Sequence, residues 1–339
     1  MTPENDAVIP DLFRDPFQER APALASETLE LLGARFQFES NSRPLLSLAT
    51  SAFGGLPRHR LAAARPRLRI RLLLTSQPKR RDRSQPPPLA MFSGAGFLGG
   101  ATDSSNCVVV SPHERAALVV VSPAMLRFPY HTRYELIEFA VYTLAARVQG
   151  LVPLHAACVG HKGRGVLLMG SSGAGKSTVA LQCLLHGLDF LAEDSVLVTP
   201  ETVLATGVAN FTHVRSDGVR WVERARDVAA IRNSPVIRRR SGVRKFELDM
   251  RRGGFRLAPT ALQIRAIVFL SPESAGQRPL LLPLRRSAVR ASLTIAQPYA
   301  ASQPEWPLFV RNALCLQAFE LRRGHHPIEA ALALRELLA

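Results

Sequence analysis

The sequence has few cysteines, and none of their spacings is typical of a metal site. The four cysteines lie far apart, and no two of them form a CxxC pair. They are Cys107, Cys158, Cys183 and Cys315. This spacing gives no support to a zinc site or to a disulfide framework. Because each cysteine lies in an apolar run, we expect buried free thiols and a cytoplasmic location.

The sequence also lacks a long hydrophobic run. No stretch of about 18 uncharged apolar residues occurs, so we expect no transmembrane helix. Residues 1–20, MTPENDAVIPDLFRDPFQER, are polar, acidic and interrupted by proline, unlike a signal peptide. Hydrophobic residues nevertheless make up 47% of the 339-residue chain, which is enough for a sizeable core. The chain is therefore expected to fold as one large domain or two of ordinary size.

Acidic residues are scarce beside basic ones. The chain has 27 Asp and Glu against 43 Lys and Arg, for a net charge of +16. Arginine supplies most of the positive charge, with its densest clusters at 79–83 (KRRDR) and 238–240 (RRR). Such a surface favours a polyanionic partner: nucleic acid, an anionic membrane or an acidic peptide. No aromatic-interleaved basic motif or other nucleic-acid signature accompanies the charge, so we expect no nucleic-acid partner.

Residues 1–150 are predicted to form a divergent N-terminal α+β domain. RLRIRLLL (67–74) alternates arginine with apolar residues as a strand does, and proline and charge mark a loop or disordered insert at about 76–90. CVVVSPHERAALVVV (107–121) is typical of a β-hairpin. RYELIEFAVYTLAARV (133–148) has the apolar spacing of a helix.

Residues 151–339 have the strand and helix pattern of an α/β domain. VLLMG is a predicted strand, KSTVALQCLLHG a helix closed by Gly187, and LDFLAED the next strand, a pattern typical of nucleotide-binding units. Residues 215–256 are arginine-rich with few apolar runs, which favours exposed loops and short helices. ALQIRAIVFL returns to strand character, and a terminal helix begins at Pro327.

The segment between that first strand and the helix satisfies G-x-x-x-x-G-K-S, the Walker A pattern. Glycines let successive N–H groups point at phosphate oxygens, and the helix start adds its positive end. Lys176 is expected to reach the β- and γ-phosphates of ATP, and the Ser177 hydroxyl to bind Mg²⁺. The expected nucleotide contacts are Gly170, Ser171, Ser172, Gly173, Ala174, Gly175, Lys176, Ser177 and Thr178.

Two acids and a histidine flank this pattern. Glu193 and Asp194 end the strand LDFLAED, and the carboxyl ends of strands face the ligand crevice of an open α/β sheet. One carboxylate there could accept a proton from an attacking hydroxyl while the other holds Mg²⁺. His155 lies in PLHAACVG, a strand expected beside VLLMG. From spacing alone, His155 fits a core position as well as a site.

The segment LHAACVGHKGRGVLLMGSSGAGKSTVALQCLLHGLDFLAEDSVLV resembles the catalytic core of HPr kinase/phosphorylase. The loop has the family's form G-x-S-G-x-G-K-S, and the intervals from His155 to Gly170 and from Lys176 to Glu193 fit the family. The resemblance implies that Glu193 is the catalytic base and that His155 supports it. It implies that Asp194 lies near Mg²⁺ and that Lys176 holds phosphate.

Two features depart from the family. Glu193 stands where the family usually has Asp, which pushes the carboxylate one methylene further out. The E-x-R-G-x-G signature is absent between residues 195 and 260, where SGVRKFELDMRR lies instead. Its charged residues are either phosphate and substrate contacts or a solvated strand. They are Arg244, Lys245, Glu247 and Asp249.

The resemblance implies an α/β P-loop kinase core at 151–339, preceded by the smaller domain at 1–150. The implied activity is that of an ATP- and Mg²⁺-dependent serine kinase acting on a peptide or protein, as do the kinases found with lasso-peptide biosynthesis. The alternatives are a small-molecule kinase and a nucleotide-sensing regulatory protein without efficient transfer. A homo-oligomer is compatible with the resemblance, since HPr kinases form hexamers. A basic groove would suit an acidic or phosphorylated peptide.

Overall fold

The computed structural model describes residues 24–75, 85–86, 88–171 and 173–339, so Ser172 and most of the insert expected at 76–90 lie outside the described residues. The chain divides into two compact units. The first contains the described residues up to Leu29 together with Phe36–Ser51 and Arg67–Leu144. The second contains Glu30–Arg35, Ala52–Pro66 and Ala145–Ala339. The sequence-based boundary at residue 150 thus lies close to Ala145, whereas two earlier segments belong to the second unit.

The first unit is built around a seven-stranded sheet. Its strands are β1 (Ala25–Leu31), β2 (Ala34–Ser40), β3 (Arg67–Leu74), β4 (Ala90–Gly94), β5 (Phe97–Asp103), β6 (Asn106–Ser111) and β7 (Ala116–Val121), in the spatial order β1-β2-β3-β7-β6-β5-β4. Its helical segments are α1 (Arg43–Phe53), a 3-10 turn (Met125–Arg127), α2 (Pro129–His131), a π-helical stretch (Thr132–Ile137) and α3 (Glu138–Gln149).

The expected elements of this unit are present. Strand β3 buries Leu68, Ile70 and Leu72 while its arginines point the other way, as the two-residue period of a strand requires. Strands β6 and β7 pair antiparallel, which confirms the predicted hairpin. The helix predicted over 133–148 is present as the π-helical stretch followed by α3.

The described part of the second unit forms two sheets with helices around them. The strands are β8 (Val152–Leu154), β9 (Ala157–His161), β10 (Arg164–Met169), β11 (Asp189–Ala192), β12 (Val196–Val198), β13 (Leu204–Gly207), β14 (Phe211–Val214), β15 (Val236–Arg238), β16 (Arg244–Asp249), β17 (Leu262–Ser274), β18 (Leu281–Pro283) and β19 (Gln317–Arg323). The helices are α4 (Lys176–Leu185), a 3-10 helix (Ser216–Trp221), α5 (Ala225–Arg232), α6 (Arg286–Ala296), α7 (Pro298–Ala301), α8 (Trp306–Ala313) and α9 (Pro327–Leu338).

The larger of these sheets mixes parallel and antiparallel pairs. Its order is β11-β9-β10-β17-β13-β12-β8, with β19 beside β17 and β18 beside β19. Strands β10, β17 and β19 are parallel, and β9 runs antiparallel to both β10 and β11. Consequently β10, β11 and β17 end at the same edge. The unit is an α/β fold with a mixed sheet, so the α/β class expected from the sequence is confirmed.

Two hydrophobic cores cover the two faces of this sheet. Val166 and Leu168 on β10 join one core with residues of α4 and α9. Leu167 and Met169, which alternate with them, join the other core with residues of α6 and α8. The fully apolar run VLLM is therefore explained by burial on both faces.

Two expectations from the sequence were wrong in this unit. Residues 215–256 contain strands β15 and β16, which pair with β14 in a three-stranded sheet of order β14-β16-β15, and not only loops and short helices. These strands are short and carry arginine on their exposed faces, so no apolar run marks them. PLHAACVG is not one strand, because His155 and Ala156 separate β8 from β9.

The cysteines are only partly as expected. All four are free, but Cys315 is exposed and Cys107 is half-buried, so the prediction of buried thiols was wrong for these two. Burial raises the pKa of the Cys158 and Cys183 thiols. Among the residues that the structure describes, no helix has the length and apolar character of a membrane span.

Helix α9 packs on the core that it shares with α4 in the second unit. Leu334 is completely buried in the core that α9 shares with α4, whereas Glu336 is exposed. We expect Leu334→Ala to lower the free energy of unfolding by about 3 kcal/mol, because it leaves a cavity. Glu336→Ala should change the free energy by less than about 0.5 kcal/mol. Urea denaturation measures both values, and equal losses would contradict this packing.

Candidate functional site

A glycine-rich loop connects β10 to α4 at the edge where β10, β11 and β17 end. Gly173 and Gly175 have φ values of 84° and 106°, in the left-handed region that favours glycine. At Gly170, with φ 152°, an added Cβ would lie 3.1 Å from the Ala174 Cβ. These glycines are therefore required by the backbone itself. Ser172, an expected loop contact, lies outside the described residues.

Helix α4 begins directly after this loop. Gly175 is its N-cap residue, and the Gly175 carbonyl accepts a hydrogen bond from the Val179 N–H. The N–H groups of Lys176, Ser177 and Thr178 belong to the first turn, where no preceding carbonyl of the helix is available. They add to the positive end of the helix dipole.

Lys176 folds back over the loop. Its Nζ donates to the Gly170 carbonyl oxygen at 2.8 Å and lies 3.2 Å from His155 Nε2. The residue is only 7% exposed. Burial lowers the pKa of Lys176, and the negative charges of Asp194 and Glu193 oppose that shift. The ammonium group is thus surrounded by the loop, the histidine and the two acids.

Asp194 and His155 form an accessible pair at this edge. Asp194 follows the end of β11, and its Oδ1 lies 3.1 Å from His155 Nδ1. The side chains of His155 and Asp194 are 50% and 35% exposed. With Nδ1 donating to Asp194, the Nε2 lone pair faces Lys176, so the three side chains form a chain of polar contacts.

The backbone of His155 is fixed by Gln297, the residue after α6. Gln297 Oε1 accepts from the His155 N–H at 2.7 Å, and Gln297 Nε2 donates to the His155 carbonyl at 3.1 Å. Gln297 is 3% exposed. In the break between β8 and β9, the N–H and the carbonyl of His155 are therefore both hydrogen-bonded by one buried amide. These two bonds hold the histidine in place.

Glu193 lies in a different environment from its neighbour Asp194. Its side chain is 6% exposed, and Oε2 accepts both the His213 backbone N–H at 2.8 Å and His213 Nδ1 at 3.0 Å. The nearby Ser177 hydroxyl also lowers the pKa of Glu193. The sequence had placed His155 beside Glu193, whereas the histidine that contacts Glu193 in the structure is His213.

His213 lies between two carboxylates. Its Nε2 is 3.2 Å from Glu247 Oε1, and His213 and Glu247 are register partners on β14 and β16. Burial by itself lowers the pKa of His213, but the hydrogen bonds to Glu193 and Glu247 outweigh it and raise the pKa. Burial likewise raises the pKa of Glu193, and the His213 contacts outweigh it and lower the pKa. The two ring nitrogens thus each face one carboxylate, which favours the protonated ring.

Two cations, Arg239 and Lys245, interact with the side chains of His213 and Glu193. Arg239 Nη2 lies 3.4 Å from His213 Nδ1, and its charge works against protonation of that ring. Burial lowers the pKa of Lys245, which is attracted by Glu193 and Asp194 and repelled by Arg239. Of the other charged residues expected on this segment, Arg244 is exposed and Asp249 pairs with Arg251 at 2.8 Å.

The structure thus brings most of the expected site residues together. Lys176 contacts Gly170, Ser171 and His155, His155 contacts Asp194, and Ser177 contacts Glu193. His213 and Gln297 were missed, because neither belongs to a local motif. For His213, the pairing of FTHV with KFELD would have been the signal, but both strands are short and KFELD is rich in charge.

The oxygen ligands at this edge are of the kind that Mg²⁺ binds. Within the described ranges, no three residues among His, Cys, Asp and Glu are arranged to hold a metal ion by themselves. Mg²⁺ in nucleotide sites usually takes only one or two protein carboxylates, together with a hydroxyl, waters and phosphate oxygens. Ser177 and Glu193, whose side chains are close enough for the hydroxyl to lower the pKa of the carboxyl, fit that donor set.

Comparison with known proteins adds to this geometry. A protein-family model described as "SynChlorMet cassette protein ScmC" matches residues 133–211, which include the glycine-rich loop and both acids. A curated HPr kinase/phosphorylase from Chlorobium phaeobacteroides (strain BS1) is 36% identical over 89 residues. The resemblance to HPr kinase/phosphorylase is confirmed. The match covers 24% of this chain and 26% of the relative's own length.

A solved structure of the Hpr(Ser) kinase/phosphatase from Coxiella burnetii also matches. It has a TM-score of 0.27 and 13% sequence identity, over 54% of this chain and 94% of its own.

The buried cluster predicts a pH dependence of stability. Because the pKa of His213 is raised, its contribution is complete below its ordinary value of 6.5 and is lost as the pH rises through the raised value. Because the pKa of Glu193 is lowered, its contribution is complete above its ordinary value of 4.5 and is lost as the pH falls through the lowered value. The pair therefore stabilises the fold most between pH 4.5 and 6.5.

We expect His213→Gln to lower the free energy of unfolding by about 3 kcal/mol near pH 5.5, and by clearly less near pH 9. Urea denaturation at the two pH values measures the difference. The matched control is His325→Gln, since His325 is exposed. A loss that is the same at both pH values would show that His213 is neutral in the folded protein.

Proposed function

We propose that the chain is an ATP- and Mg²⁺-dependent kinase that transfers the γ-phosphoryl group to a serine hydroxyl of a peptide or protein. The observation that carries this proposal is the position of Lys176, whose Nζ contacts both the Gly170 carbonyl and the ring of His155, the partner of Asp194. The buried Lys176 thereby connects the glycine-rich loop to the pair formed by Asp194 and His155. The name of the curated relative, HPr kinase/phosphorylase, supports the same class of reaction.

The loop and α4 are suited to hold the phosphates. Their glycines have the conformations that turn N–H groups inward, and the first turn of α4 adds the N–H groups of Lys176, Ser177 and Thr178. Lys176 would leave the Gly170 carbonyl and bind the β- and γ-phosphates. Ser177 and Glu193 would hold Mg²⁺, which would supply positive charge to offset that of the phosphates. Phosphoryl transfer asks mainly for such positioning and charge compensation.

The geometry favours Asp194 as the residue that accepts the serine proton. The sequence resemblance assigned this role to Glu193 and placed Asp194 near Mg²⁺. Glu193 is almost completely buried, and its Oε2 already accepts two hydrogen bonds from His213. Asp194 is 35% exposed and is oriented by His155. We therefore exchange the two roles: Asp194 takes the proton, and Glu193 faces the Ser177 hydroxyl.

The direct test of the function is a phosphotransfer assay read by intact mass. The protein, ATP and Mg²⁺ are incubated with serine peptides, and Lys176→Ala serves as the inactive control. We expect one phosphate on the serine of at least one peptide and none with the variant. Transfer only to small molecules would favour a small-molecule kinase. ATP binding without transfer to peptides or metabolites would favour a nucleotide sensor.

The exchange of roles predicts different defects for the two acids. Asp194→Asn should lower kcat by about a thousandfold, since general bases contribute on that order, and should leave Mg²⁺-dependent ATP affinity unchanged. Glu193→Gln should instead weaken ATP binding about tenfold at limiting Mg²⁺, because a neutral amide replaces the negatively charged oxygen ligand. Calorimetry measures the affinities, and initial rates give kcat.

The control for these two variants is Glu201→Gln, because Glu201 is exposed in the turn after β12. It should match the wild type in both measurements. The reverse pattern, with normal Mg²⁺-dependent affinity and lost transfer in Glu193→Gln, would return the base to Glu193.

A further inference from the structure

The β15–β16 hairpin is the most basic short segment near the candidate site. Its residues 238–245 read RRRSGVRK, with five cations and no acid. The turn is closed by the Arg239 N–H donating to the Val243 carbonyl at 2.9 Å, and Gly242 supplies the left-handed φ of 82°. The backbone is therefore a defined hairpin, in which Arg238 and Arg244 lie on one face and Lys245 on the other.

Like charges face each other on this hairpin. Arg238 and Arg244 are direct cross-strand partners, and both are exposed. Two guanidinium groups in that position repel each other and destabilise the pair. An anion bound between them would remove the repulsion. Arg215, which follows β14, is also exposed and repels Lys245.

The hairpin lies beside the acids of the site. Lys245, whose register partner is Ile237, is attracted by both Glu193 and Asp194. Arg239 lies 3.4 Å from His213, the residue that holds Glu193. A peptide whose serine reaches Asp194 would thus have its neighbouring residues over the hairpin.

We propose that this basic hairpin binds acidic residues that flank the acceptor serine, so that the substrate is an acidic peptide. The inference rests on the proposed function for the serine itself. Arg238 and Arg244 on one face of the hairpin, and Lys245 on the other, would pair with carboxylates or with phosphates of the same chemistry. The exposed apolar side chains of the hairpin are Val236 and Val243, and neither offers the aromatic stacking surface typical of single-stranded nucleic-acid sites.

The test uses two 12-residue peptides that differ only in charge. One carries aspartates on both sides of a single serine, and the other carries asparagines. The variant is Arg244→Glu, which sets a carboxylate opposite Arg238 and so favours the folded hairpin. The control is Lys162→Glu, in the exposed β9–β10 turn, about 20 Å along β10 from the glycine-rich loop.

We expect the wild type to have a KM for the aspartate peptide about tenfold below that for the asparagine peptide, a preference weakened by salt. Arg244→Glu should abolish this ratio, and Lys162→Glu should keep it. A ratio unchanged by Arg244→Glu would overturn the proposal. A raised KM for ATP in that variant, with the peptide ratio intact, would also overturn it and assign the hairpin to the nucleotide.

A binding measurement separates this proposal from the proposed function. A fluorescent aspartate peptide with alanine in place of serine is titrated by anisotropy without nucleotide. Binding that Arg244→Glu weakens about tenfold supports the hairpin even if no phosphate is transferred. Transfer to both peptides with equal KM keeps the kinase and overturns the hairpin. A 12-nucleotide RNA that displaces the aspartate peptide at lower concentration than the unlabelled peptide would also overturn it.

Discussion

Compensation of the buried Lys176 charge is the constraint on which the rest of the site depends. Lys176 is 7% exposed, and its ammonium group needs partners for its charge and its three N–H donors. The glycine-rich loop supplies a carbonyl, His155 supplies a ring nitrogen, and the two acids supply negative charge. The parallel directions of β10 and β11 bring these groups to one edge of the sheet. In the proposed function, Lys176 exchanges the Gly170 carbonyl for a phosphate oxygen.

The buried charge of Glu193 is compensated as well. Glu193 is buried with two N–H donors from His213, and His213 is in turn balanced by Glu247. The small sheet β14-β16-β15 thus supports the acid that faces Ser177, and it carries the basic hairpin on the same strands. His155 and Asp194, by contrast, remain partly exposed to solvent. The buried Glu193 and the more exposed Asp194 are suited to different tasks. Burial fixes the side chain of Glu193, whereas Asp194 stays accessible.

Local pattern was enough to predict the loop, α4 and the acids at the end of β11, because these features depend on residues close together in sequence. The glycines indicate the backbone conformation of the loop, and Lys176 marks the start of α4. The apolar run VLLM indicates a strand that is buried on both faces. Contacts between distant segments could not be predicted in this way. Glu193 and His213 are 20 residues apart, His213 and Glu247 are 34 apart, and His155 and Gln297 are 142 apart. Each of them depends on strand register or on the docking of a helix, which no single segment encodes.

Calorimetric titration of ATP into the full chain, with and without Mg²⁺, tests the central claim most directly. We expect one ATP per chain, bound more tightly with Mg²⁺ than without it, and an affinity at least about tenfold weaker in Lys176→Ala. Absence of binding, or binding that Lys176→Ala leaves unchanged, would contradict the assignment of the glycine-rich loop as a phosphate site.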